Sequence, residues 1–305
     1  MAIAWVFPGQ GSQKVGMADG VIELPGARER FARASALLGR DLLAICSGDG
    51  SGDGEGNGGS DAPADLNDTR NTQPALFVVE SLLVDALHGQ GRRPDLVAGH
   101  SLGELVALYA AGVFDADTGL ALVRRRSELM AEAGGGAMTA VMGFDRTELE
   151  SLVAASDGVV IANDNSSAQV VLSGTPDSVA RVSGELRCKR AVPLAVSGAF
   201  HSPFMAGAAA AFAAELEAIP FADASVPVLS NTDPTPETSG AALKDRLVRQ
   251  MTSGVRWRET MEALAAAGID TAVEIGPGTV LSGLIKRSGA EIGTAGIATA
   301  ADLGA

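Results

Sequence analysis

The stretch LVAGHSLGELVALYAAG, at residues 96–112, constrains the fold of this chain more than any other segment. A short apolar run ends in the pentad GHSLG, and a helix-forming run follows at once. A G-x-S-x-G pentad between a strand and a helix is typical of a nucleophile elbow, a tight turn that raises the serine hydroxyl above the sheet. Gly99 and Gly103 leave room for that turn, and the helix N-terminus behind Ser101 favours developing negative charge. The pattern therefore predicts strand, turn and helix, with Ser101 as a nucleophile.

The composition of the chain narrows the class of protein. Its 305 residues are 46% hydrophobic and 20% charged, which is enough for a sizeable globular core. The formal charge of −14 argues against nucleic acid and anionic membrane as main partners. The N-terminus lacks the basic start of a signal peptide, and no apolar run reaches the roughly 18 residues that span a membrane. We therefore expect a cytoplasmic protein, and we expect it to be a monomer.

The two cysteines, Cys46 and Cys188, lie far apart in the sequence. Their spacing fits neither a metal site nor a redox motif, so we expect free thiols in a reducing compartment.

The order of predicted elements favours an α/β fold with a parallel sheet. Ile3 to Phe7 forms an apolar run typical of a buried strand, and a helix opened by Thr72 as N-cap precedes the elbow strand at 96–99. The turn Gln10-Gly11-Ser12-Gln13 follows the first strand. Ligands bind at the carboxyl ends of strands in such sheets, so the backbone N–H groups of this turn are candidate donors.

Residues 135–200 have a different pattern of predicted strands and helices. Their pattern predicts strand, helix, two strands, helix and strand, which is the order of a ferredoxin-like unit. We therefore predict a small ferredoxin-like domain at 135–200, inserted into a larger α/β-hydrolase-like domain formed by 1–134 and 201–305. The glycine- and acid-rich stretch at 48–65 is predicted to be a flexible surface insertion without a chemical role.

A serine nucleophile needs a base within hydrogen-bond reach, and the chain has three histidines. His88 lies at the end of a predicted helix, where a helix-dipole or surface role is sufficient. His100 precedes the nucleophile in the turn, so its side chain should diverge from that of Ser101. By elimination His201, in a loop at the junction of the two predicted domains, is the base. The acid of a catalytic triad is not identifiable between residues 101 and 201.

One arginine lies on an apolar helix face. Arg126 shares the face of the predicted helix at 117–133 with Leu122, Val123, Leu129 and Met130. A buried charge is costly unless it is paired. The residues alone leave two interpretations open: a buried acid pairs Arg126, or the guanidinium awaits an anionic ligand.

Seven short motifs, spread in order along the whole chain, resemble those of the malonyl-CoA:acyl carrier protein transacylases. They are VFPGQGSQ at 6–13, TQPAL at 72–76, GHSLGE at 99–104, RRRSELM at 124–130, GAM at 136–138, SGAFHSPFM at 197–205 and EIGPG at 274–278. The insertion at 48–65 departs from the common family pattern and is remote from every motif.

The resemblance implies a Ser–His dyad, with Ser101 as nucleophile and His201 as base. A main-chain carbonyl, that of Gln250, would orient the imidazole in place of a triad acid. The N–H groups of Gln10 and Leu102 would form the oxyanion hole.

The resemblance also implies that Arg126 binds the free carboxylate of a malonyl group. The implied activity is transfer of malonyl from malonyl-CoA to the phosphopantetheine thiol of acyl carrier protein, for fatty acid biosynthesis. The implied reaction is ping-pong and needs no metal and no bound cofactor. The acidic carrier protein would need a local basic patch, for which the candidates are Arg124, Arg125, Lys189, Arg190, Lys286 and Arg287.

Three alternatives to this interpretation remain. A trans-acting malonyl acyltransferase of a polyketide synthase would carry the same motifs. A Ser–His thioesterase or esterase would use the same dyad, but it would not need Arg126. A catalytically inactive module that only binds carrier proteins would be expected to lose Ser101 or His201, and both are present.

Overall fold

The computed structural model describes residues 1–48, 65–196 and 198–304. Of the predicted insertion at 48–65, only Gly48 and Asp65 lie within the described residues. The strands are β1 Ile3–Phe7, β2 Leu96–Gly99, β3 Ala137–Phe144, β4 Val159–Ser166, β5 Gln169–Gly174, β6 Cys188–Pro193, β7 Val228–Leu229, β8 Thr271–Ile275 and β9 Gly293–Ile297. The α-helices are α1 Ala27–Leu38, α2 Leu42–Ser47, α3 Thr69–Gly89, α4 Gly103–Ala110, α5 Ala116–Glu132, α6 Arg146–Ala154, α7 Pro176–Glu185, α8 Ala206–Glu217, α9 Gly240–Gln250, α10 Trp257–Ala266 and α11 Val280–Ser288.

The strands form two separate sheets. Five strands pair in the order β7-β2-β1-β8-β9, and every pairing among them is parallel. The other four pair antiparallel in the order β4-β5-β3-β6. The predicted α/β class, with a parallel sheet and a second sheet from the middle of the chain, is confirmed at this level.

Both faces of the parallel sheet are buried, as expected for strands joined by helical crossovers. Along β1, Trp5 and Phe7 belong to one apolar cluster, whereas Ala4 and Val6 belong to another on the opposite face. This alternation follows from the two-residue period of a strand. Packing on both faces holds the sheet in place. The carboxyl ends of β1 and β2 remain open for a site.

Helix α3 begins earlier than predicted. Thr72 was expected as its N-cap, but the helix starts at Thr69, and the Asp68 side chain accepts from the N–H of Arg70. Pro74 consequently lies inside the helix. Because proline has no N–H to donate to the preceding turn, the carbonyl of Arg70 accepts instead from Arg40 Nη2 at 2.7 Å. A tertiary contact thus makes the helical proline tolerable.

The elbow depends on two glycines in close contact. A Cβ on Gly99 would lie 1.9 Å from the carbonyl of Gly103, and a Cβ on Gly103 would lie 2.1 Å from the carbonyl of Phe7. Strand β2 and helix α4 can therefore meet at this angle only without side chains at both positions. Between them Ser101 adopts a φ of 54°, which is rare for a residue with a side chain.

The antiparallel sheet is joined to the rest of the molecule beside the elbow. The chain enters and leaves this sheet where Gly134 pairs with Gly198. Strand β4 bonds to the main body through Val255, whose N–H donates to Ala162 and whose carbonyl accepts from Asp164. These contacts set one edge of the antiparallel sheet against the carboxyl ends of the parallel strands.

The length and hydropathy of the helices bear on membrane insertion. Across the described residues, none of the helices combines the length and the apolar character needed to span a bilayer.

We expect Gly99→Ala to lower the free energy of unfolding by about 3 kcal/mol or more, because the new methyl group meets backbone atoms that cannot move cheaply. Gly184→Ala in α7 is the matched control, since a Cβ there meets nothing within 4 Å and alanine favours a helix. Urea unfolding of both variants measures the difference. Equal stability of the two would contradict the proposed constraint on the elbow.

Candidate active site

Ser101 is held at the apex of the elbow by Asn231, which follows the neighbouring strand β7. Its N–H donates to Asn231 Oδ1 at 2.7 Å. The amide nitrogen of Asn231 donates to the carbonyl of Gly99 at 2.6 Å. Asn231 therefore bridges both sides of the turn and stabilises the unusual backbone of Ser101, which otherwise costs roughly 1–2 kcal/mol. No motif in the sequence analysis had pointed to this residue.

The structure brings His201 to Ser101 from a position 100 residues away. The hydroxyl Oγ of Ser101 lies 2.7 Å from His201 Nε2, and the other ring nitrogen, Nδ1, lies 3.0 Å from the carbonyl of Gln250. A carbonyl can only accept, so Nδ1 carries the proton and Nε2 presents its lone pair to the serine. Burial, reinforced by the positive charge of Arg126, lowers the pKa of His201 to about 3. The imidazole is therefore neutral and able to accept a proton.

The other two histidines have different surroundings. His100 Nε2 lies 2.8 Å from Asn165 Oδ1 on β4, so this ring connects the elbow to the antiparallel sheet. His88, in the last turn of α3, packs against the Trp5 ring with centroids 5.3 Å apart. Neither ring bonds to the hydroxyl of Ser101.

Arg126 projects from α5 into the site and is 1% exposed. Its Nη1 donates to Gln73 Oε1 at 2.6 Å, and its Nη2 donates to Gln250 Oε1 at 2.9 Å and to Ser101 Oγ at 3.2 Å. Burial lowers the pKa of Arg126 to about 10, against the opposing effect of Glu104.

No acid pairs directly with this cation. Within the part of the chain that the structure describes, Arg126 forms no salt bridge, and its Nε has no hydrogen-bond acceptor. Of the two interpretations left open by the sequence, a paired buried acid is not the one found. A fork of N–H donors aimed at a nucleophile suits a ligand carboxylate.

The two residues predicted to supply the oxyanion hole, Gln10 and Leu102, line the same cavity as Ser101. Among the described residues neither backbone N–H donates a hydrogen bond. Leu102 stands at the N-terminus of α4, where main-chain donors are normally unsatisfied. Thr69 Oγ1 donates to Gln10 Oε1 at 2.8 Å and holds the first turn in place.

The site opens into a cavity of about 230 Å³ between the two sheets. Its polar end contains Ser101, His201 and Arg126. Its remaining wall is largely apolar and comes from α5, the antiparallel sheet, the segment after β6 and α11, with Met130, Met138, Ala140, Val171, Leu194, Val196, Phe200, Val280, Leu281 and Leu284. Such a cavity suits a short acyl group on an extended thiol carrier.

The sequence motifs did not predict a role for three residues of the site, although two of the three lie within those motifs. Gln73 belongs to TQPAL and Glu104 to GHSLGE, and both are fully buried polar side chains next to the dyad. Their place in those motifs was the only available signal. Asn231 gave none, because a single asparagine after a short strand is common in loops.

Comparisons with known proteins agree with this geometry. A family model described as "Acyl transferase domain" matches residues 4–304. The malonyl CoA-acyl carrier protein transacylase of Synechocystis is 51% identical over 288 residues, which cover 94% of each chain.

Solved structures give the same result. The crystal structure of the Synechocystis malonyl-CoA:ACP transacylase superposes with a TM-score of 0.92 at 49% identity, covering 100% of this chain and 99% of that one. A malonyl-transacylase in complex with its type II polyketide synthase acyl-carrier protein has a TM-score of 0.86 at 37% identity, covering 99% and 98%. The chain belongs to the acyl transferase domain family and, within it, to the malonyl-CoA:acyl carrier protein transacylases.

Proposed function

We propose that this chain transfers malonyl from malonyl-CoA to the phosphopantetheine thiol of an acyl carrier protein, for fatty acid biosynthesis, through a malonyl-Ser101 intermediate. One observation carries the choice of acyl group: a buried guanidinium, without an ion pair among the described residues, lies 3.2 Å from the Ser101 hydroxyl. A general esterase has no use for that cation. A substrate with a free carboxylate next to its thioester would pair it.

In the first half-reaction Ser101 Oγ attacks the thioester carbonyl while His201 Nε2 takes the hydroxyl proton. The tetrahedral oxyanion accepts from the N–H groups of Gln10 and Leu102, and each such donor is typically worth about 10²–10³ in rate. Collapse of the intermediate breaks the C–S bond, and the CoA thiolate receives the proton from His201. The carbonyl of Gln250 holds the ring through both steps.

In the second half-reaction the carrier thiol replaces CoA in the apolar cavity. His201 removes the thiol proton, the thiolate attacks the malonyl ester, and the proton returns to Ser101 as the C–O bond breaks. This double displacement is ping-pong and requires neither a metal nor a bound cofactor. Apolar walls that limit access of water to the ester favour transfer over hydrolysis.

The carrier protein must reach the cavity mouth, where Val280 and Leu194 are partly exposed. Lys286 and Arg287 lie in the last turn of the adjacent helix α11. They are better candidates for the docking patch than Arg124 and Arg125, which already face Glu128 and Glu215. Lys189 and Arg190 on β6 remain candidates because both are exposed.

We further infer that the parallel sheet with its elbow is an α/β-hydrolase-like domain of 1–134 and 201–305, and that 135–200 is an inserted ferredoxin-like domain. The strand order β4-β5-β3-β6, with α6 and α7 as crossovers, supports the ferredoxin-like arrangement. Pairing of Gly134 with Gly198 supports limits close to those predicted. A monomeric state remains a prediction.

A polyketide role is the second candidate. The similarity to a malonyl-transacylase that was solved with a polyketide synthase carrier protein favours it. The acyl transfer chemistry would be identical, and only the carrier would differ.

Replacement of the nucleophile tests the intermediate. We expect intact-mass measurement to detect a malonyl adduct after mixing the enzyme with malonyl-CoA. Ser101→Ala should abolish it, because it removes the hydroxyl that lies 2.7 Å from His201 Nε2. Ser127→Ala on α5 is a control hydroxyl, since its Oγ donates to the carbonyl of Arg124 away from the dyad. An undiminished adduct in Ser101→Ala would refute the mechanism.

Replacement of the arginine tests acyl selectivity. We expect Arg126→Ala to reduce kcat/KM for malonyl-CoA by about 100-fold or more, since a charged hydrogen-bonded pair is lost. Acetyl transfer should survive or rise, because acetyl offers no carboxylate to the buried cation. Arg124 lies two residues earlier on the same helix and is partly exposed, so Arg124→Ala should change neither malonyl nor acetyl transfer. Equal loss of both activities in Arg126→Ala would indicate a structural arginine.

The acid limb of the pH profile tests the environment of the base. Because the pKa of His201 is lowered to about 3, the ring stays unprotonated and kcat/KM for acetyl-CoA should be nearly flat from about pH 8 to pH 5. Arg126→Met removes a neighbouring positive charge, so it should raise the pKa of His201 and move the acid limb to higher pH. A wild-type midpoint near the ordinary histidine value of about 6.5 would contradict the assignment.

A further inference from the structure

The side chain of Gln250 lies at the centre of the site and is fully buried. Its Oε1 accepts from Arg126 Nη2 at 2.9 Å, whereas its Nε2 donates to Glu104 Oε2 at 2.7 Å and to the carbonyl of Ser101 at 2.9 Å. A carboxamide has one accepting end and one donating end. Two acceptors on one side therefore decide that the oxygen faces the arginine.

Glu104 is the acidic partner in this arrangement and is fully buried in the first turn of α4, where burial raises the pKa of its carboxyl group. The same oxygen that accepts from Gln250 also accepts from the N–H of Asn231 at 3.1 Å. No salt bridge joins Glu104 to Arg126 within the residues described. The amide of Gln250 is thus the physical connection between the carboxylate and the cation.

We propose that Glu104 is a positioning residue that acts through the Gln250 side chain to aim Arg126 at the acyl carboxylate. This inference rests on the proposed role of Arg126 in binding malonyl. Gln250 and Gln73 each accept from one Nη of the guanidinium, so the plane of the fork is held from two sides. Without the acceptor on Glu104, the Gln250 amide loses the partner that orients it. A flipped amide would direct its N–H groups at a cation, and the fork would lose its support.

This role differs from that of the Gln250 main chain. The carbonyl of Gln250 holds His201 Nδ1, and a side-chain substitution leaves that carbonyl in place. Any loss of rate caused by the contacts of Gln250 and Glu104 with the elbow should affect malonyl and acetyl transfer alike. The proposal consequently predicts a fall in the malonyl-to-acetyl ratio beyond that shared loss.

The test compares kcat/KM for malonyl-CoA with that for acetyl-CoA in Glu104→Met, Gln250→Met and Glu104→Gln. We expect the malonyl-to-acetyl ratio to fall about 10- to 100-fold in the two methionine variants, as for loss of a hydrogen bond to a charged group. Glutamine at position 104 still offers an oxygen acceptor. Glu104→Gln should therefore stay within about threefold of the wild-type ratio.

A double variant separates action through Gln250 from independent effects. If Glu104 works through the amide, Glu104→Met with Gln250→Met should lower the ratio no further than either single variant. Glu80→Met is the matched control, because Glu80 is equally buried and lies against Gly276 outside the site. Its ratio should remain that of the wild type even where its melting temperature falls.

Several results would overturn the proposal. These are an unchanged ratio in Glu104→Met or Gln250→Met, multiplied effects in the double variant, or a fall in Glu104→Gln as large as in Glu104→Met. If Glu104→Met does not fold, Glu104→Ala, which also removes the acceptor, takes its place, and Gln250→Met still tests the amide. Arg126→Ala distinguishes failure of the proposed function from failure of this inference. An unchanged malonyl-to-acetyl ratio in Arg126→Ala would refute the role of the arginine. A large fall in Arg126→Ala, with wild-type ratios in Glu104→Met and Gln250→Met, would refute only the role of Glu104.

Discussion

The close approach of strand β2 to helix α4 is the constraint on which the rest of the site depends. Hydrogen in place of a side chain at Gly99 and Gly103 lets the chain reverse between them. The turn leaves Ser101 in a conformation that costs free energy, and the contacts of Asn231 offset part of that cost. The proposed nucleophile Ser101, the proposed oxyanion donor Leu102 and the carboxyl group of Glu104 all lie within one helical turn of this point.

Burial of charge is the second determinant of the site. The cation of Arg126 has lost its water, and two glutamine oxygens and a serine hydroxyl surround it without neutralising it. Its positive charge helps burial to lower the pKa of His201, so the imidazole is kept neutral. A malonyl carboxylate would complete the electrostatics of this pocket. An acyl group without a carboxylate would leave the cation buried and unpaired, which is a penalty and hence a basis for selectivity.

Much of the fold could be predicted because its signals are local. The apolar run at 96–99, the glycine pentad and the helix after it gave β2, the turn and α4 at the right residues. The helix at 117–133 was predicted within one residue of α5, with its apolar face inward. The start of α3 was wrong because Asp68 outcompetes Thr72 as a cap. The Arg40 contact that accommodates Pro74 is distant in sequence.

By itself the sequence determined the elbow, the α/β class and, through its ordered motifs, the family, and it predicted Ser101 as the nucleophile. It also placed the charge of Arg126 on an apolar helix face, but it did not specify which groups lie opposite that charge. Only the tertiary structure decided that Arg126 faces Ser101 and has no acid partner within the described ranges, that His201 reaches the hydroxyl, and that Gln250 contacts all three. These contacts join residues 25 to 149 positions apart. Periodicity and local motifs specify how a segment folds and which face is buried, whereas the packing of segments decides which polar groups meet.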